Sequence, residues 1–286
     1  MRPQEHKASR PVSPMRELDR DQPTYTASAP TLASPSVGEH TLRSERLDLG
    51  IVGAGRLGTA LAVALEKQGH RISGPHGRGE QPPIDADLIF ICVSDDEIAD
   101  VASALPSDQV VAHCSGARGL ELLMGRPGFC LHPLMTVTSD AEAATFRGAF
   151  AAIDASSAEH LRLAEGICAD LQMTPLRIDS DDRATYHAAA TVASNFLVTI
   201  EAAAEQIAAA AGVPREALVP LAQATLNNWA ANGPENALTG PIARGDTGTV
   251  AAQRAAIAEA TPDLLPLFDA LCEATAQLAT AKGAKA

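Results

Sequence analysis

The stretch LGIVGAGRLGTALAVALEKQG, residues 49–69, decides the fold. It begins as a short apolar strand, passes through the spacing G-x-G-x-x-G at Gly53, Gly55 and Gly58, and continues as an amphipathic helix. The first glycine allows a tight turn, the second lets a pyrophosphate approach the backbone, and the third lets the helix pack on the strand. The free N–H groups at the helix start favour an anion. We therefore predict dinucleotide binding rather than a purely structural strand–helix unit.

Composition and charge exclude several classes of protein. The chain has 286 residues and a net charge of −13; the first 46 residues hold seven basic and six acidic side chains, which leaves 15 basic against 29 acidic for the rest. Such an acidic body argues against nucleic acid as a partner. No apolar run is long enough to cross a membrane, and no signal peptide is visible. Five cysteines without a C-x-x-C spacing indicate reduced thiols, so we expect a cytoplasmic protein.

Residues 1–46 differ in composition from the rest of the chain. They are rich in proline, serine, threonine and arginine, and they lack an apolar period. A segment of this kind buries too little surface to offset its loss of conformational entropy. We predict a disordered tail over residues 1–46.

From residue 47 onwards, short apolar runs alternate with helical patterns. We predict strands at residues 47–52, 70–75, 87–93, 109–112, 128–131 and 149–153. The alternation is typical of a doubly wound parallel sheet, so we predict an α/β, Rossmann-like domain over residues 47–155. A connecting helix and an extended segment over residues 156–180 follow, and then an all-α domain over residues 181–286.

The predicted C-terminal domain begins with an alanine-rich helix over residues 182–211. A helix of nearly 30 residues suggests a central or intersubunit element. Pro214 starts a second helix, and a loop over residues 232–245 follows. Asp246 is placed to cap the next helix, and Pro262 lies near the start of the last one.

The segment after the second strand departs from the usual Rossmann unit. Residues 76–86 contain two glycines and two prolines and no apolar face, so we predict a loop in place of the crossover helix. The acidic residue that would hold the adenosine ribose is missing, because Ser73 and Gly74 stand at its place. Ser73, His76 and Arg78 suit a 2′-phosphate instead and favour NADP, with a solvated loop as the alternative.

Polar side chains follow several predicted strands at the edge where open α/β sheets bind ligands. They are Ser94, His113, Ser115 and His132. Because His113 and His132 end two different strands, we expect sheet geometry to bring them together. The structural alternatives are that His113 hydrogen-bonds the loop backbone and that His132 belongs to a rigid strand exit.

A row of polar residues lies on the first long helix. His187, Thr191 and Asn195 are four residues apart and share one face, flanked by Tyr186 and Ser194. Histidine is the best acid–base candidate, since no lysine falls on the predicted cleft. The only lysines are Lys7, Lys67, Lys282 and Lys285. A purely structural histidine at 187 is the alternative.

Together these motifs resemble a bacterial family of oxidoreductases with a Rossmann-like N-terminal domain and a C-terminal domain of unknown function. The resemblance rests on the glycine turn, SDDE at 94–97, HCSG at 113–116, HPL at 132–134, YHAA…ASN at 186–195 and TGPIARGD at 239–246. It covers residues 47–280. The family is similar to the β-hydroxyacid and 6-phosphogluconate dehydrogenase group, and more distantly to ketopantoate reductase and pyrroline-5-carboxylate reductase. The resemblance implies a helical C-terminal domain that often dimerises.

The resemblance also points to residues on the long helix. The dehydrogenase group carries a catalytic lysine one turn before an asparagine. Asn195 matches that asparagine, and Thr191 occupies the place of the lysine. His187, one turn earlier, is the candidate to substitute for it.

We therefore predict an NADP-dependent oxidoreductase, with NAD as the other possible cofactor. Hydride would pass between the nicotinamide and a C=O or C=N carbon of a small carboxylate substrate. His187 would exchange the proton and Asn195 would hold the reacting oxygen. His113 and Ser115 would orient the nicotinamide or the substrate. The residues predicted to bind the cofactor are Gly53, Ala54, Gly55, Arg56, Leu57, Gly58, Ser73, Arg78, Val93 and Ser94.

Several alternatives accompany this prediction. The first is a non-catalytic protein that binds a nucleotide or a partner on a Rossmann scaffold. The second is a metal site whose candidate ligands are His113, Cys114, His132 and His187. Arg118 and Arg244 are candidates to clamp a carboxylate, with a surface role as the alternative. We expect a homodimer through the helical domain, and neither a membrane nor nucleic acid as partner.

Overall fold

The fold was obtained as a computed structural model, which describes residues 46–81, 84–137 and 146–284. The predicted disordered tail therefore lies outside the described residues, except for Arg46. No helix in the described part combines the length and the apolar character that a membrane span needs.

A seven-stranded sheet forms the core of residues 48–177. Its strands are β1 (Asp48–Val52), β2 (Arg71–His76), β3 (Leu88–Ile91), β4 (Val111–His113), β5 (Gly128–Leu134), β6 (Phe150–Ala155) and β7 (Thr174–Arg177). The spatial order is β2-β1-β3-β4-β5-β6-β7. The first five strands run parallel, which confirms the predicted Rossmann-like sheet.

The far end of the sheet differs from the prediction in two ways. Strand β6 pairs antiparallel with β5, and β7 then runs parallel to β6. The apolar pattern of a strand does not encode its direction, which depends on the connection before it. In addition, β7 makes residues 174–177 part of the sheet, whereas the sequence pattern predicted an extended segment there that only connects the two domains.

Three helices cover the sheet and bury its apolar side chains. They are α1 (Arg56–Lys67), α2 (Asp95–Ala104) and α3 (Ala158–Asp170). The core on one face of the sheet includes Leu61, Phe90 and Phe129, and the core on the other includes Ile98 and Val111. This two-sided burial explains why the central strands read as continuous apolar runs.

The connection between β2 and β3 contains no helix in its described residues, 77–81 and 84–87. The predicted loss of the crossover helix is therefore confirmed for those residues. Since β2 is the edge strand beside β1, the described loop residues 77–80 lie next to the glycine turn and line a cavity with it.

The C-terminal part of the chain is helical. It consists of α4 (Arg183–Thr191), a π-helical turn (Val192–Phe196), α5 (Leu197–Ala210), α6 (Arg215–Ala237), α7 (Thr247–Ala260) and α8 (Leu265–Ala284). The first three form the long helix expected over residues 182–211. As predicted, the Asp246 carboxylate caps α7 by accepting from the Thr249 N–H at 3.0 Å.

The loop predicted over residues 232–245 begins later in the structure than the sequence pattern suggested. Helix α6 runs on to Ala237, with a break at Gly233, where φ is 72°. Glycine and proline at 233 and 234 look like helix terminators in sequence, but here the helix resumes directly after the break. The actual loop starts at Leu238.

Candidate functional site

The glycine turn has the geometry of an anion-binding loop. Gly53 has φ 111°, and a Cβ there would lie 2.3 Å from the Cys92 carbonyl oxygen. At Gly58 a Cβ would lie 1.9 Å from the Gly53 carbonyl oxygen, so both positions require glycine. At Gly55, by contrast, a Cβ would have no described atom within 4 Å. The backbone is therefore bare toward solvent at the second glycine only.

The start of α1 is open to a ligand. Gly55 is its N-cap, no side chain of the described residues caps it, and its first turn carries no acidic residue. Its first N–H groups therefore lack a side-chain acceptor, and the helix dipole favours an anion at this end. Ala54, Gly55 and Arg56 are exposed, so a ligand can reach them.

Three cavities follow one another along the carboxyl edge of the sheet. The loop-side cavity, about 480 Å³, is lined by Gly53, His76, Arg78 and Ser94 among others. The central cavity, about 650 Å³, is lined by Leu57, Asp95, Ser115 and Ser194 among others. The helix-side cavity, about 480 Å³, is lined by His132, Tyr186, His187 and Thr191 among others.

Shared wall residues connect these cavities into one groove. Gly55 and Val93 line both the loop-side and the central cavity, and Asn195 lines both the central and the helix-side cavity. The groove thus runs from the β2 loop, past the glycine turn, to the long helix. We call it the edge groove.

The loop-side cavity is lined by His76 and Arg78, two of the three side chains predicted to meet a 2′-phosphate, whereas the third, Ser73, is not among its lining residues. The Ser73 hydroxyl and the His76 Nε2 lie 3.1 Å apart, and the Arg78 guanidinium pairs with the Glu97 carboxylate. Glu80 also faces this cavity and accepts from the Gly77 N–H at 2.7 Å. Arg78 is thus held at the cavity by an exposed ion pair, which a competing anion can displace.

The predicted cap of α2 forms in a modified way. Ser94 is the N-cap residue, but its hydroxyl donates to the Glu97 Oε2 at 2.6 Å rather than accepting from the backbone. This bond and the Arg78 charge hold the pKa of Glu97 below its ordinary value. Glu97 therefore stays ionised and fixes Ser94 and Arg78 on either side of the loop-side cavity.

His113 is fully buried and both of its ring nitrogens are bonded to the backbone. Nδ1 accepts from the Ser115 N–H at 3.2 Å, so Nε2 carries the proton and donates to the Gly119 carbonyl at 3.0 Å. Burial lowers the pKa of His113 to about 4. The ring has no free nitrogen for a substrate, which supports the backbone-bonding alternative over a direct role in orienting the nicotinamide or substrate.

Ser115 does reach the edge groove. Its hydroxyl donates to the Asp95 Oδ2 at 2.8 Å and accepts from the Arg118 N–H at 3.1 Å. Both Ser115 and Asp95 line the central cavity. The loop held by His113 therefore presents Ser115, and the start of α2 supplies a carboxylate beside it.

Three aromatic side chains meet at the helix-side cavity. The Tyr186 hydroxyl lies 2.8 Å from the His132 Nδ1, and the His132 and His187 ring centroids are 6.1 Å apart. Gly116 makes room for them, since a Cβ there would lie 2.6 Å from the His187 Cδ2 and 2.7 Å from the His132 Nε2. We call His132, Tyr186 and His187 the ring cluster.

Two members of the ring cluster, His132 and Tyr186, are uncharged near neutral pH. Burial, with the nearby His187 and Arg183, lowers the pKa of His132 to about 4. Burial also raises the pKa of Tyr186 above its ordinary value. A neutral imidazole and a neutral phenol can therefore share one proton across the 2.8 Å contact.

Arg183 lies behind the ring cluster as a buried cation. It is 1% exposed, and its three guanidinium nitrogens have no hydrogen-bond partner among the described residues. Its charge lowers the pKa values of His113 and His132. The buried Cys130 thiol interacts with this guanidinium, and burying the charge without a carboxylate partner is costly.

The long helix presents its predicted row to the edge groove. His187, Thr191 and Asn195 all line the helix-side cavity, together with Tyr186 and Ser194. The π-helical turn spans Asn195, and the Thr199 hydroxyl donates to the Asn195 carbonyl at 3.1 Å. Turns of this kind frequently occur at functional sites.

The remaining candidates lie elsewhere. The Arg118 Nε donates to the Glu121 Oε1 at 3.0 Å, and Arg244 is exposed in a 3-10 turn; neither lines the edge groove. Within the described residues, no three His, Cys, Asp or Glu side chains come together to hold a metal. The proposed ligand set from His113 to His187 therefore does not assemble there.

Asp95, Arg183 and the bond between Tyr186 and His132 were not predicted from the sequence. Arg183, Tyr186 and His187 are spaced i, i+3, i+4, which places them on one face of α4. That spacing was a usable signal for Arg183. The partners Asp95 and His132 come from other elements, so only the fold could supply them.

Comparisons with known proteins match both parts of the chain. Residues 149–275 match the family model "Domain of unknown function (DUF2520)", and residues 32–133 match the model of a Rossmann-like domain. Among curated proteins, none matches the sequence significantly.

Solved structures share the fold at low sequence identity. A protein from Bacteroides fragilis with a provisional assignment as an NADP oxidoreductase superposes with a TM-score of 0.71 at 20% identity, covering 81% of this chain and 98% of the other. A protein from Thermotoga maritima gives 0.65 at 23% identity, covering 82% and 99%. A reductive aminase from Aspergillus terreus, in complex with NADPH and ethyl-5-oxohexanoate, gives 0.61 at 19% identity, covering 82% and 94%.

Proposed function

We propose that the chain is an NADP-dependent reductase, supported by its matches to a Rossmann-like model and to the C-terminal domain of unknown function. Its substrate would be a small molecule with a C=O or C=N group. The observation that carries the proposal is the continuity of the edge groove, which links the bare glycine turn to the ring cluster. Neighbours that bind NADPH, such as the reductive aminase, support the choice of cofactor.

The groove residues fit an extended dinucleotide. The N–H groups at the start of α1 would hold the pyrophosphate, and Ser73 and Arg78 would hold a 2′-phosphate beside the loop-side cavity. Val93 and Ser115 would line the nicotinamide end in the central cavity. When bound, the nicotinamide supplies the hydride.

Side chains of the protein would supply the proton that the substrate takes up. His187 and Tyr186 border the helix-side cavity, and the bond from Tyr186 to His132 connects the cavity to a buried neutral ring. His187 or Tyr186 would give one proton to the substrate, and solvent in the cavity would replace it, because a neutral His132 has no spare proton to supply. Asn195, on the wall shared with the central cavity, is placed to bind the reacting oxygen or nitrogen.

The positive field behind the ring cluster favours a negatively charged substrate. Arg183 is not exposed to the cavity, so it would act at a distance rather than as a clamp. The same charge that disfavours a cation on His132 would stabilise a carboxylate in the helix-side cavity. We therefore retain a small carboxylate as the proposed substrate class.

We also propose a homodimer formed through the helical region. Among the described residues from 183 to 280, the buried ones are Arg183, Ala203 and Ile257. Large apolar side chains such as Leu221 and Trp229 are 66% and 56% exposed. A second copy of the chain would cover this surface.

The first test is calorimetric titration of NADPH and NADH. Gly55→Val adds a side chain at a position where a Cβ has open space but where a pyrophosphate would approach, so we expect NADPH to bind about tenfold more weakly or worse. Gly248→Ala, in ordinary contact within α7, is the matched control and should bind as the unmodified protein does. No binding of either nucleotide to the unmodified protein would overturn the proposal.

The second test separates a reductase from a non-catalytic nucleotide-binding protein. NADPH oxidation is followed with a panel of 2-oxo acids and cyclic imines. His187→Ala and Asn195→Ala should bind NADPH normally and lose about 100-fold or more in kcat. NADPH binding without turnover on the whole panel would favour the non-catalytic alternative.

A further inference from the structure

Two thiols lie side by side on the wall of the edge groove. Cys92 directly follows β3 and Cys114 directly follows β4. In the parallel register of these strands Ile91 pairs with His113, which places Cys92 opposite Cys114. Their Sγ atoms are 3.9 Å apart.

This spacing is close to that of a disulfide. Neighbouring strands lie about 4.7–4.9 Å apart, inside the range of Cα separations that a disulfide bridges. The two sulfur atoms have to approach by about 2 Å to reach bonding distance. Rotation of the side chains about χ1 can supply this movement, because the backbone positions already suit the bridge.

The two thiols differ in access. Cys92 lines both the central and the loop-side cavity, whereas Cys114 is 8% exposed and lines the central cavity only. The contact with Cys92, together with burial, raises the pKa of Cys114 well above its ordinary value. A dissolved oxidant therefore reacts with Cys92 first. Cys114 is the thiol that then reacts with the oxidised Cys92.

We propose that Cys92 and Cys114 form a redox modification site, a dithiol that hydrogen peroxide converts to a disulfide in the wall of the edge groove. The Cys92 sulfur attacks one peroxide oxygen and the O–O bond breaks. A sulfenic acid forms on Cys92, and the other oxygen departs as water. The Cys114 sulfur then attacks the Cys92 sulfur and displaces a second water. Two thiols are oxidised by two electrons and one peroxide is reduced to two waters.

Cys92 packs directly against the glycine turn. A Cβ at Gly58 would lie 3.3 Å from the Cys92 Cβ, and one at Gly53 would lie 2.3 Å from the Cys92 carbonyl oxygen. Turning the Cys92 sulfur toward Cys114 changes the wall on which the turn packs. If the proposed function holds, a bound dinucleotide covers Cys92. Binding of the dinucleotide then slows oxidation of Cys92, and the disulfide weakens binding of the dinucleotide.

The test uses the full chain without nucleotide, treated with hydrogen peroxide, then alkylated, digested and analysed by mass spectrometry. We expect a bridged peptide pair containing Cys92 and Cys114, reversed by dithiothreitol. Its rate of formation should rise with pH and keep rising above pH 9, since the Cys114 thiolate is the second nucleophile and the pKa of Cys114 lies well above its ordinary value. Cys92→Ser and Cys114→Ala should each abolish the bridge. Cys168→Ser, buried in α3, is the matched control and should leave it intact.

The outcomes separate this proposal from the proposed function. Absence of the bridge, or a bridge from Cys114 to Cys130 instead, overturns the modification site. Addition of NADPH at saturation, judged by calorimetry on the reduced protein, should slow the bridging of Cys92 about tenfold. NADPH that binds without slowing the reaction overturns the coupling. NADPH that fails to bind overturns the proposed function and leaves the disulfide result standing.

Discussion

Phe90 in β3 and Trp229 in α6 are both large aromatic residues, yet Phe90 is fully buried and Trp229 is 56% exposed. The same contrast holds for their surroundings. Phe90 packs edge-on against Phe129 at 6.1 Å between ring centroids, within a core closed by helices. The helices around Trp229 bury very few side chains of their own. A single chain thus contains one region with its own apolar core and one region whose large apolar side chains are exposed to solvent.

The largest expected effect comes from emptying the core of the sheet. Phe129→Ala removes a fully buried ring and leaves a cavity, so we expect the free energy of unfolding to fall by about 3–5 kcal/mol. Trp229→Ala in α6 should change it far less when the protein is diluted to the monomer. Denaturant titration of both variants measures the difference. Equal losses would contradict the contrast between the two regions.

The next largest effect is expected from acid, which should lower the free energy of unfolding of the sheet region. The pKa of His113 is lowered to about 4 by burial, whereas the unfolded chain takes up the proton near 6.5. The free energy of unfolding should therefore be highest above pH 6.5 and fall as the pH drops towards 4, by roughly 3 kcal/mol from this residue. His132 shifts in the same direction. Stability measured at a series of pH values checks this, and a flat profile over that interval would falsify it.

A charge on the helical surface should change the association of the chains rather than their folding. Leu221→Lys and Trp229→Lys each place a charge on the apolar surface, so we expect the dissociation constant of the proposed homodimer to rise about tenfold or more. Ile84→Lys is the matched control, because Ile84 is equally exposed, at 63%, in the loop after β2. Sedimentation velocity over a concentration series distinguishes the variants. A monomer for the unmodified protein at every concentration would exclude the proposed dimer.

The smallest effect is expected from the ion pair between α7 and α8. The Arg254 Nε lies 2.8 Å from the Asp269 Oδ1, and both groups are exposed to water. Arg254→Ala should therefore change the midpoint of denaturation by no more than the scatter between replicates. A clear loss would mean that the helical region depends on its surface charges more than its exposure suggests.

The sequence predicted features that depend on a few consecutive residues. The glycine turn, the cap at Asp246 and the missing crossover helix after β2 each follow from local backbone chemistry. The row from His187 to Asn195 was predictable because helical spacing alone places its members together. The roles of these residues remain predictions.

The sequence did not predict features that depend on distant partners. The direction of β6 depends on the preceding connection, and the continuation of α6 past Gly233 depends on how the helix packs. The bonds of His113 to the loop and of Tyr186 to His132 join elements that the fold brings together. Arg183 showed no sign of burial in a polar segment next to three aspartates, because burial is a property of the assembled fold.

The π-helical turn at Val192–Phe196 has a consequence for how relatives are aligned. Its hydrogen bonds close over five residues rather than four, so the chain holds one residue more than a regular helix over the same stretch. One residue corresponds to about 100° around a helix axis. Counting back four residues from Asn195 to Thr191 therefore does not identify the position that a lysine occupies in a relative with a regular helix. Against such a relative, the two sides of the turn align with a gap of one residue between them.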